Sequence, residues 1–315
     1  MVKIGGVSLD VSHPLGFATR LEENCMALRY EYVWDKGFRK PEEVDWFVKR
    51  FGLTGKVDDI SEMVDNVDVG FIQACNWEKH LDLAMPFINK GKPVFIDKPI
   101  VGSVSDITRL RELVKNGAKI MGSSSARYAE EVQKFLSEPV ETRGEVVSIY
   151  GTCGIDEFNY GVHIVEILSE LAGAKAVACK YVGTAKNGEN DPVEIYNIRY
   201  ENGVCGTYHC MHGRHQLFYI TIMTTKGIRN FCIDSSKIYI SLLKEIYREL
   251  GTGRSKLADI EKLINCVEIM LCGKKSRDEV SGAEVHISEL GSDDKFDGYK
   301  FEAEYGAKAA VIYKD

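Results

Sequence analysis

The sequence predicts an α/β protein: a doubly wound parallel sheet in residues 1–122, joined to an α+β region with a large, mostly antiparallel sheet in residues 123–315. Three observations predict it. Apolar, strand-like runs alternate with segments of helical period through the first 122 residues, and such alternation implies parallel strands joined by right-handed crossovers. Beyond that point strand-like runs follow one another with few helices between them, which suits an antiparallel sheet with helices on one face. A chain of 315 residues, 44% hydrophobic and 28% charged, is too long for one small core and is expected to form two domains.

Residues 2–7 are a short apolar run, the first strand. Pro14 opens a helix with Ser12 or His13 at its N-cap, and Leu15, Ala18, Leu21 and Cys25 share one side of it. Residues 30–34 are β-branched and aromatic, a strand that stops at Asp35. Residues 41–51 are helical, with Val44, Phe47, Val48 and Phe51 as the apolar stripe. Residues 67–72 and 94–96 read as buried strands around a helix at about 80–89. Ile107, Leu110, Leu113 and Val114 mark a helix capped by Ser105, and residues 119–121 form a further strand. In the second part, strands are expected at 145–150, 177–183, 195–200, 204–211, 217–225 and 228–233, with turns such as Glu201-Asn202-Gly203 and Lys226-Gly227 between them. Helices are expected at 161–171 and 257–271, and a late strand at 307–313.

Lys plus Arg number 40 and Asp plus Glu 47, a net charge of −7 with no basic run. This argues against nucleic acid or an anionic membrane as the main partner. The nine cysteines are odd in number and hold no Cys-x-x-Cys pair, the usage of buried, reduced thiols in a cytoplasmic protein. No signal peptide and no apolar stretch long enough to cross a bilayer is expected. Cys205, His209, Cys210, His212 and His215 are metal-ligand types, but they match no closed zinc spacing and alternate across a strand, so no metal is expected.

Four segments carry a family resemblance. Phe95-Ile96-Asp97-Lys98-Pro99, after Gly91-Lys92-Pro93, looks like a "GK-x-V-x-x-EKP" segment with Asp for Glu. Gly161-Val162-His163-Ile164-Val165-Glu166 resembles a "G-x-H-x-x-D" helix start with Glu for Asp. Ala126-Arg127-Tyr128 resembles an "R-[YF]" crossover, and Ser281-Gly282-Ala283-Glu284-Val285 a closing "G-x-x-V". In this order the segments resemble the glucose-fructose oxidoreductase / inositol dehydrogenase / MocA (Gfo/Idh/MocA) family. The resemblance implies a Rossmann-type dinucleotide-binding domain at 1–122 and a substrate-binding and oligomerisation domain at 123–315. It implies an NAD(P)-dependent oxidoreductase acting on a secondary hydroxyl of a sugar, polyol or related compound.

Such a reaction needs a hydride acceptor and a group for the hydroxyl proton. Carried over from the family, these proton-handling residues are Lys98 and His163. Lys98 closes a parallel strand at its C-terminal end, where open α/β sheets place ligands, and Asp97 is expected to hold its ammonium. Glu166, one turn beyond His163, is placed to orient the imidazole or to bind a substrate hydroxyl. Arg127, Asp156, Asn159 and Tyr160 are the other candidate substrate contacts.

The cofactor candidates are Ser8, Asp10, Ser12, His13, Asp35, Asn76, His80, Asp97 and Lys98. The usual G-x-G-x-x-G turn, whose glycines let backbone approach pyrophosphate, here reads Ser8-Leu9-Asp10-Val11-Ser12-His13. Asp10 sets a carboxylate against phosphate charge. The helix start at Pro14 still offers amides to an anion, and Asp35 sits where a ribose-binding acid belongs, favouring NAD over NADP. Lys36 and Arg39 are the residues that would accept a 2′-phosphate. Because the glycines are missing, the alternative is a redox-inactive ligand-binding relative of the same fold; a cofactor-assisted elimination or glycoside hydrolysis is a third possibility. Tyr208, Phe218, Tyr219, Ile220 and Ile222 are read as a bare apolar sheet face, which predicts a homodimer or homotetramer.

Overall fold

A computed structural model of the chain describes residues 1–186 and 192–314. In chain order its elements are β1 (Val2–Val7), α1 (His13–Glu23), β2 (Leu28–Trp34), α2 (Pro41–Phe51), β3 (Gly55–Lys56), α3 (Ser61–Val64), β4 (Val69–Ile72), α4 (His80–Asn89), β5 (Val94–Ile96), α5 (Val104–Lys115), β6 (Ile120–Gly122), α6 (Glu130–Ser137), α7 (Val140–Arg143), β7 (Val146–Ile155), α8 (Gly161–Ala172), β8 (Ala176–Ala185), β9 (Val193–Tyr200), β10 (Cys205–His212), β11 (Tyr219–Thr224), β12 (Gly227–Cys232), α9 (Ile238–Thr252), α10 (Ile260–Asp278), β13 (Val285–His286) and α11 (Gly298–Lys308). They fall into two compact units. The first takes Met1–Ser123, Leu242–Ile260 and the chain from Asp297 onward; the second takes Ser124–Ser241 and Glu261–Phe296. A single cut at 122/123 would give 242–260 and 297–315 to the second part, whereas their packing puts them with the first.

In the first unit six strands lie in the order β3-β2-β1-β4-β5-β6, and every pairing is parallel. This is the doubly wound order whose direction reverses between β1 and β4, the place where such sheets bind ligands at the strands' C-terminal ends. Strands β4 and β5 are wholly buried, as apolar runs covered on both faces must be. Phe17 of α1, Phe71 of β4 and Phe95 of β5 pack ring on ring, with centroids 5.2–6.4 Å apart, at the centre of this core. Ser12 precedes α1 without capping it through its side chain. The cap of α5 is Ser103, whose hydroxyl accepts from the Asp106 amide, rather than Ser105.

The second unit holds a seven-stranded sheet, β12-β11-β7-β10-β9-β8-β13. It is antiparallel except for β7 and β10, which run parallel. Helix α8 is buried along nearly its whole length and lies against β7. A Cβ on Gly151 would sit 2.5 Å from the Ile164 terminal methyl, so this strand position needs glycine for helix and sheet to close. Tyr208, Ile220 and Ile222 point into this core; of the residues read as a bare face, only Tyr219 is exposed, joined by Val147, Met223 and Ile228. The two faces fell into one reading because β11 carries apolar residues on both sides, Tyr219 and Met223 on one and Ile220 and Ile222 on the other. Residues 307–313, expected as a strand, are the end of α11 and an irregular tail. Helices α6 and α9 carry no strong boundary signal and were not anticipated.

Candidate functional site

The first unit's candidate residues gather at the C-terminal ends of β1, β2, β4 and β5. Ser8, the first position of the glycine-free turn, has φ +73°. A left-handed residue is what glycine ordinarily supplies there, and a side chain in that region stores strain that its surroundings must hold. The turn is buried from Ser8 to Val11, and Ser12 is exposed. Asp35, just past β2, accepts from the Leu9 amide at 2.6 Å and from the Gly37 amide at 3.0 Å. Burial pushes its carboxyl up to about 6, with the Asp10 charge adding to that and the two amides opposing it.

Asp10 is 2% exposed. One of its carboxylate oxygens accepts from the Cys75 amide at 3.2 Å; the other has no hydrogen-bond partner among the described residues. The Asp10 carboxylate, the Cys75 thiol and the Glu302 carboxylate of α11 come within 4.8 Å of one another, and burial first, then Asp10 and Glu302, raise the thiol's pKa. Glu302 is held by Lys79, 2.6 and 2.7 Å from its two oxygens, and by Asn76 at 3.0 Å.

His13 turns its Nδ1 to Asp97 at 2.5 Å and stacks on Phe17. Asp97 also accepts from the Lys98 amide at 2.8 Å. Burial alone would raise the Asp97 carboxyl; the His13 and Lys98 charges outweigh it and hold it below its ordinary value. Asp97 is therefore an anion wedged between the start of α1 and Lys98, which is itself buried at the end of β5. The Lys98–Pro99 peptide is cis. Asn76 and His80, both fully buried, face inward: Asn76 caps the Trp77–Lys79 turn, and His80 lies between the Ala74 and Ile100 carbonyls at 2.8 and 3.2 Å. These two expected cofactor contacts brace the loops after β4 and β5. Burial lowers the His80 pKa.

In the second unit His163 sits in the first turn of α8. Its Nδ1 meets the Ser124 hydroxyl at 2.6 Å, and its ring packs against Phe218 and Tyr160. Glu166 accepts from the Ser124 amide at 2.9 Å and from Arg127 Nε at 2.9 Å, and Arg127 also meets Glu170 at 2.6 Å. Arg127 is 1% exposed, a charge buried because it is paired; its expected substrate contact is replaced by this ion-pair network. Asp156 turns the chain into α8 by accepting from the Phe158 and Tyr160 amides at 3.0 and 3.1 Å. Asn159 is buried beside it, and Tyr160 is partly exposed. The histidines and cysteines of β10 divide between the faces: Cys210 is buried, His209 edges onto Tyr150, and His212 meets Glu194 at 3.0 Å.

Sequence reasoning missed Ser124 and Tyr313, and it read Arg39 only as an acceptor for a 2′-phosphate. Ser124 orients His163 across 39 positions of chain, a pairing no local pattern signals. Arg39 and Tyr313 grip the glycine-free turn from two distant segments. Only the motif gap itself, a turn lacking glycine, hinted that something else had to shape it.

Comparison with known proteins bears on the first unit directly. Residues 17–124 match the model of an oxidoreductase family with an NAD-binding Rossmann fold, Gfo/Idh/MocA. Within the N-terminal unit, residues 17–124 are similar to that family. The match begins beyond the glycine-free turn. No curated protein matches the sequence. Among solved structures the chain is similar to a probable dehydrogenase from Thermotoga maritima, with 16% identity, TM-score 0.78, and 92% of this chain and 100% of that one covered. It is also similar to scyllo-inositol dehydrogenase from Lactobacillus casei with bound NAD(H) and scyllo-inositol, at 15% identity and TM-score 0.78, over 92% and 100% of the two chains. A third is myo-inositol dehydrogenase from Lactobacillus casei with NAD(H) and myo-inositol, at 10% identity and TM-score 0.78, over 92% and 98%. At these identities the likeness is one of fold. Among the described residues no helix is long and apolar enough to cross a membrane.

The residues present fit a nicotinamide dinucleotide, with one departure. Ser8 keeps the left-handed turn. The Leu9, Asp10 and Val11 carbonyls are bound by Arg39 and Tyr313, and in a trans peptide N–H points opposite to C=O. The Val11 and Ser12 amides therefore turn the other way, beside the positive end of α1, which suits a phosphate. Asp10 is the departure.

Proposed function

We propose that the chain is an NAD(P)-dependent oxidoreductase acting on a secondary hydroxyl of a sugar, polyol or related compound, with NAD favoured. The observation that carries this is Lys98 at the C-terminal end of β5, beside the buried Asp97–His13 pair, in a sheet whose sequence matches an NAD-binding family. Ser8, Ser12 and His13, with the amides of Val11 and Ser12, would hold the diphosphate, and Asp35 the adenosine ribose. When bound, the nicotinamide supplies the hydride acceptor. The Lys98 ammonium would hydrogen-bond the substrate hydroxyl, and His163, its Nδ1 engaged by Ser124, would take the proton at Nε2. Asp156, Asn159 and Tyr160 are the proposed substrate contacts, while Arg127 and Glu166 hold the segment that carries Ser124.

Support for a polyol comes from the inositol-bound relatives of this fold. We also propose assembly as a homodimer or homotetramer through the exposed Val147, Tyr219, Met223 and Ile228, in the cytoplasm, where nine free cysteines stay reduced. Titration with NADH and NADPH, followed by assay of inositols and aldoses for reduction of NAD(P), tests the reading; no binding at millimolar nucleotide would overturn it. Asp10 favours the second reading, a redox-inactive ligand-binding relative, which predicts polyol binding without nucleotide binding.

A further inference from the structure

We infer that Arg39 and the C-terminal Tyr313 are positioning residues for the cofactor turn, doing through side-chain bonds what the fingerprint glycines do through backbone freedom. This rests on reading residues 8–13 as the diphosphate loop. A glycine-rich turn reaches its shape because its residues tolerate it; a turn of Ser8, Leu9, Asp10, Val11, Ser12 and His13 must be held there by its neighbours.

The hold is on three consecutive carbonyls. Arg39 donates Nε to the Leu9 carbonyl at 3.1 Å and Nη2 to the Asp10 carbonyl at 2.6 Å. The Tyr313 hydroxyl lies 2.9 Å from the Leu9 carbonyl and 3.0 Å from the Val11 carbonyl, so its single proton is shared between the two. The two side chains are tied to each other and to the scaffold. Arg39 donates to the Ala310 carbonyl at 2.9 Å and to Glu43 of α2 at 3.2 Å. Its guanidinium lies 5.2 Å from the Tyr313 ring centre, and that ring packs edge-on against Phe47 at 5.7 Å. Both side chains are almost fully buried, which removes water as a competitor for the carbonyls. Fixing the carbonyls fixes the direction of the following amides, and amide direction is what a diphosphate reads.

The test compares the full chain with Tyr313→Phe, which removes only the hydroxyl, and with a chain ending after Lys308. Hydrogen exchange of the amides of residues 8–13 is measured without cofactor. Exchange at least tenfold faster there in Tyr313→Phe, with the β4 and β5 amides unchanged, is expected. So is a several-fold weaker NADH affinity, appearing in turnover as a raised nucleotide KM at unchanged kcat. The shortened chain should show the same local exchange, more strongly. Unchanged exchange at residues 8–13 in Tyr313→Phe would overturn the inference, as would acceleration spread evenly over the unit. Failure of the wild-type chain to bind NADH would instead count against the proposed activity, and the exchange measurement would still decide the role of Tyr313.

Discussion

Replacing Asp10 tests how far one buried carboxylate governs nucleotide binding. Asp10→Asn keeps the shape of the side chain and an oxygen for the Cys75 amide; Asp10→Gly restores a fingerprint glycine. The carboxylate is packed so closely against Gly37 that a Cβ there would lie 1.9 Å from it, and its unpaired oxygen is shielded from water. Two like charges about 4 Å apart cost about 1 kcal/mol in water and about 4 kcal/mol at the effective dielectric of a protein surface. Since about 1.4 kcal/mol is tenfold in affinity, both variants should bind NADH more tightly by about fivefold to several hundredfold, measured by nucleotide fluorescence or calorimetry. Asp35 provides an internal check. Its folded carboxyl, raised to about 6, binds a proton more tightly than in the unfolded chain. It therefore favours the folded state below about pH 4, and that advantage is lost as pH rises through about 6, on the order of 3 kcal/mol in all. With the Asp10 charge removed, the Asp35 titration seen by carboxylate NMR should move down, though burial, the larger cause, remains. Unchanged or weaker NADH binding in both variants, with melting temperatures preserved, would refute the electrostatic reasoning.

Further outcomes are expected. Lys98→Met and His163→Ala should each lower kcat by about 10²- to 10⁴-fold while leaving NADH affinity within a few-fold, read by steady-state kinetics beside a binding titration. Arg127→Met leaves Glu166 buried without its cation, a loss of about 3–5 kcal/mol, seen as a large drop in the melting temperature; a change of only a degree or two would show that Arg127 is not the network's centre. Met223→Asp on the exposed sheet face should convert an oligomer to monomer by light scattering, and a wild-type monomer would dispose of the proposed assembly.

The first unit was legible because buried parallel strands print as apolar runs: 94–96 and 41–51 have the observed bounds of β5 and α2, and the Lys98 strand end followed from them. The second sheet was legible as strands but not as faces, since β11 carries apolar residues on both sides. Side-chain roles were least legible. The pattern placed Glu166 one turn from His163, but it did not show that Ser124 meets the imidazole or that Arg127 pairs with the Glu166 carboxylate. Helical spacing fixes which residues share a face; it does not say which of several acceptors a buried guanidinium will take. The tail at 307–313 read as a strand because Ala309, Ala310, Val311 and Ile312 are apolar or small, a composition that also suits a segment laid irregularly against a core.

The first unit draws on three separate stretches of chain, the last beginning at Asp297. In a chain made by the ribosome, an N-terminal domain commonly folds while the rest is still being synthesised. Here the turn after β1 cannot acquire its Tyr313 contacts until the stretch from Asp297 onward has been made. The N-terminal sheet should thus emerge as a nascent intermediate whose first turn stays loose until that later stretch docks.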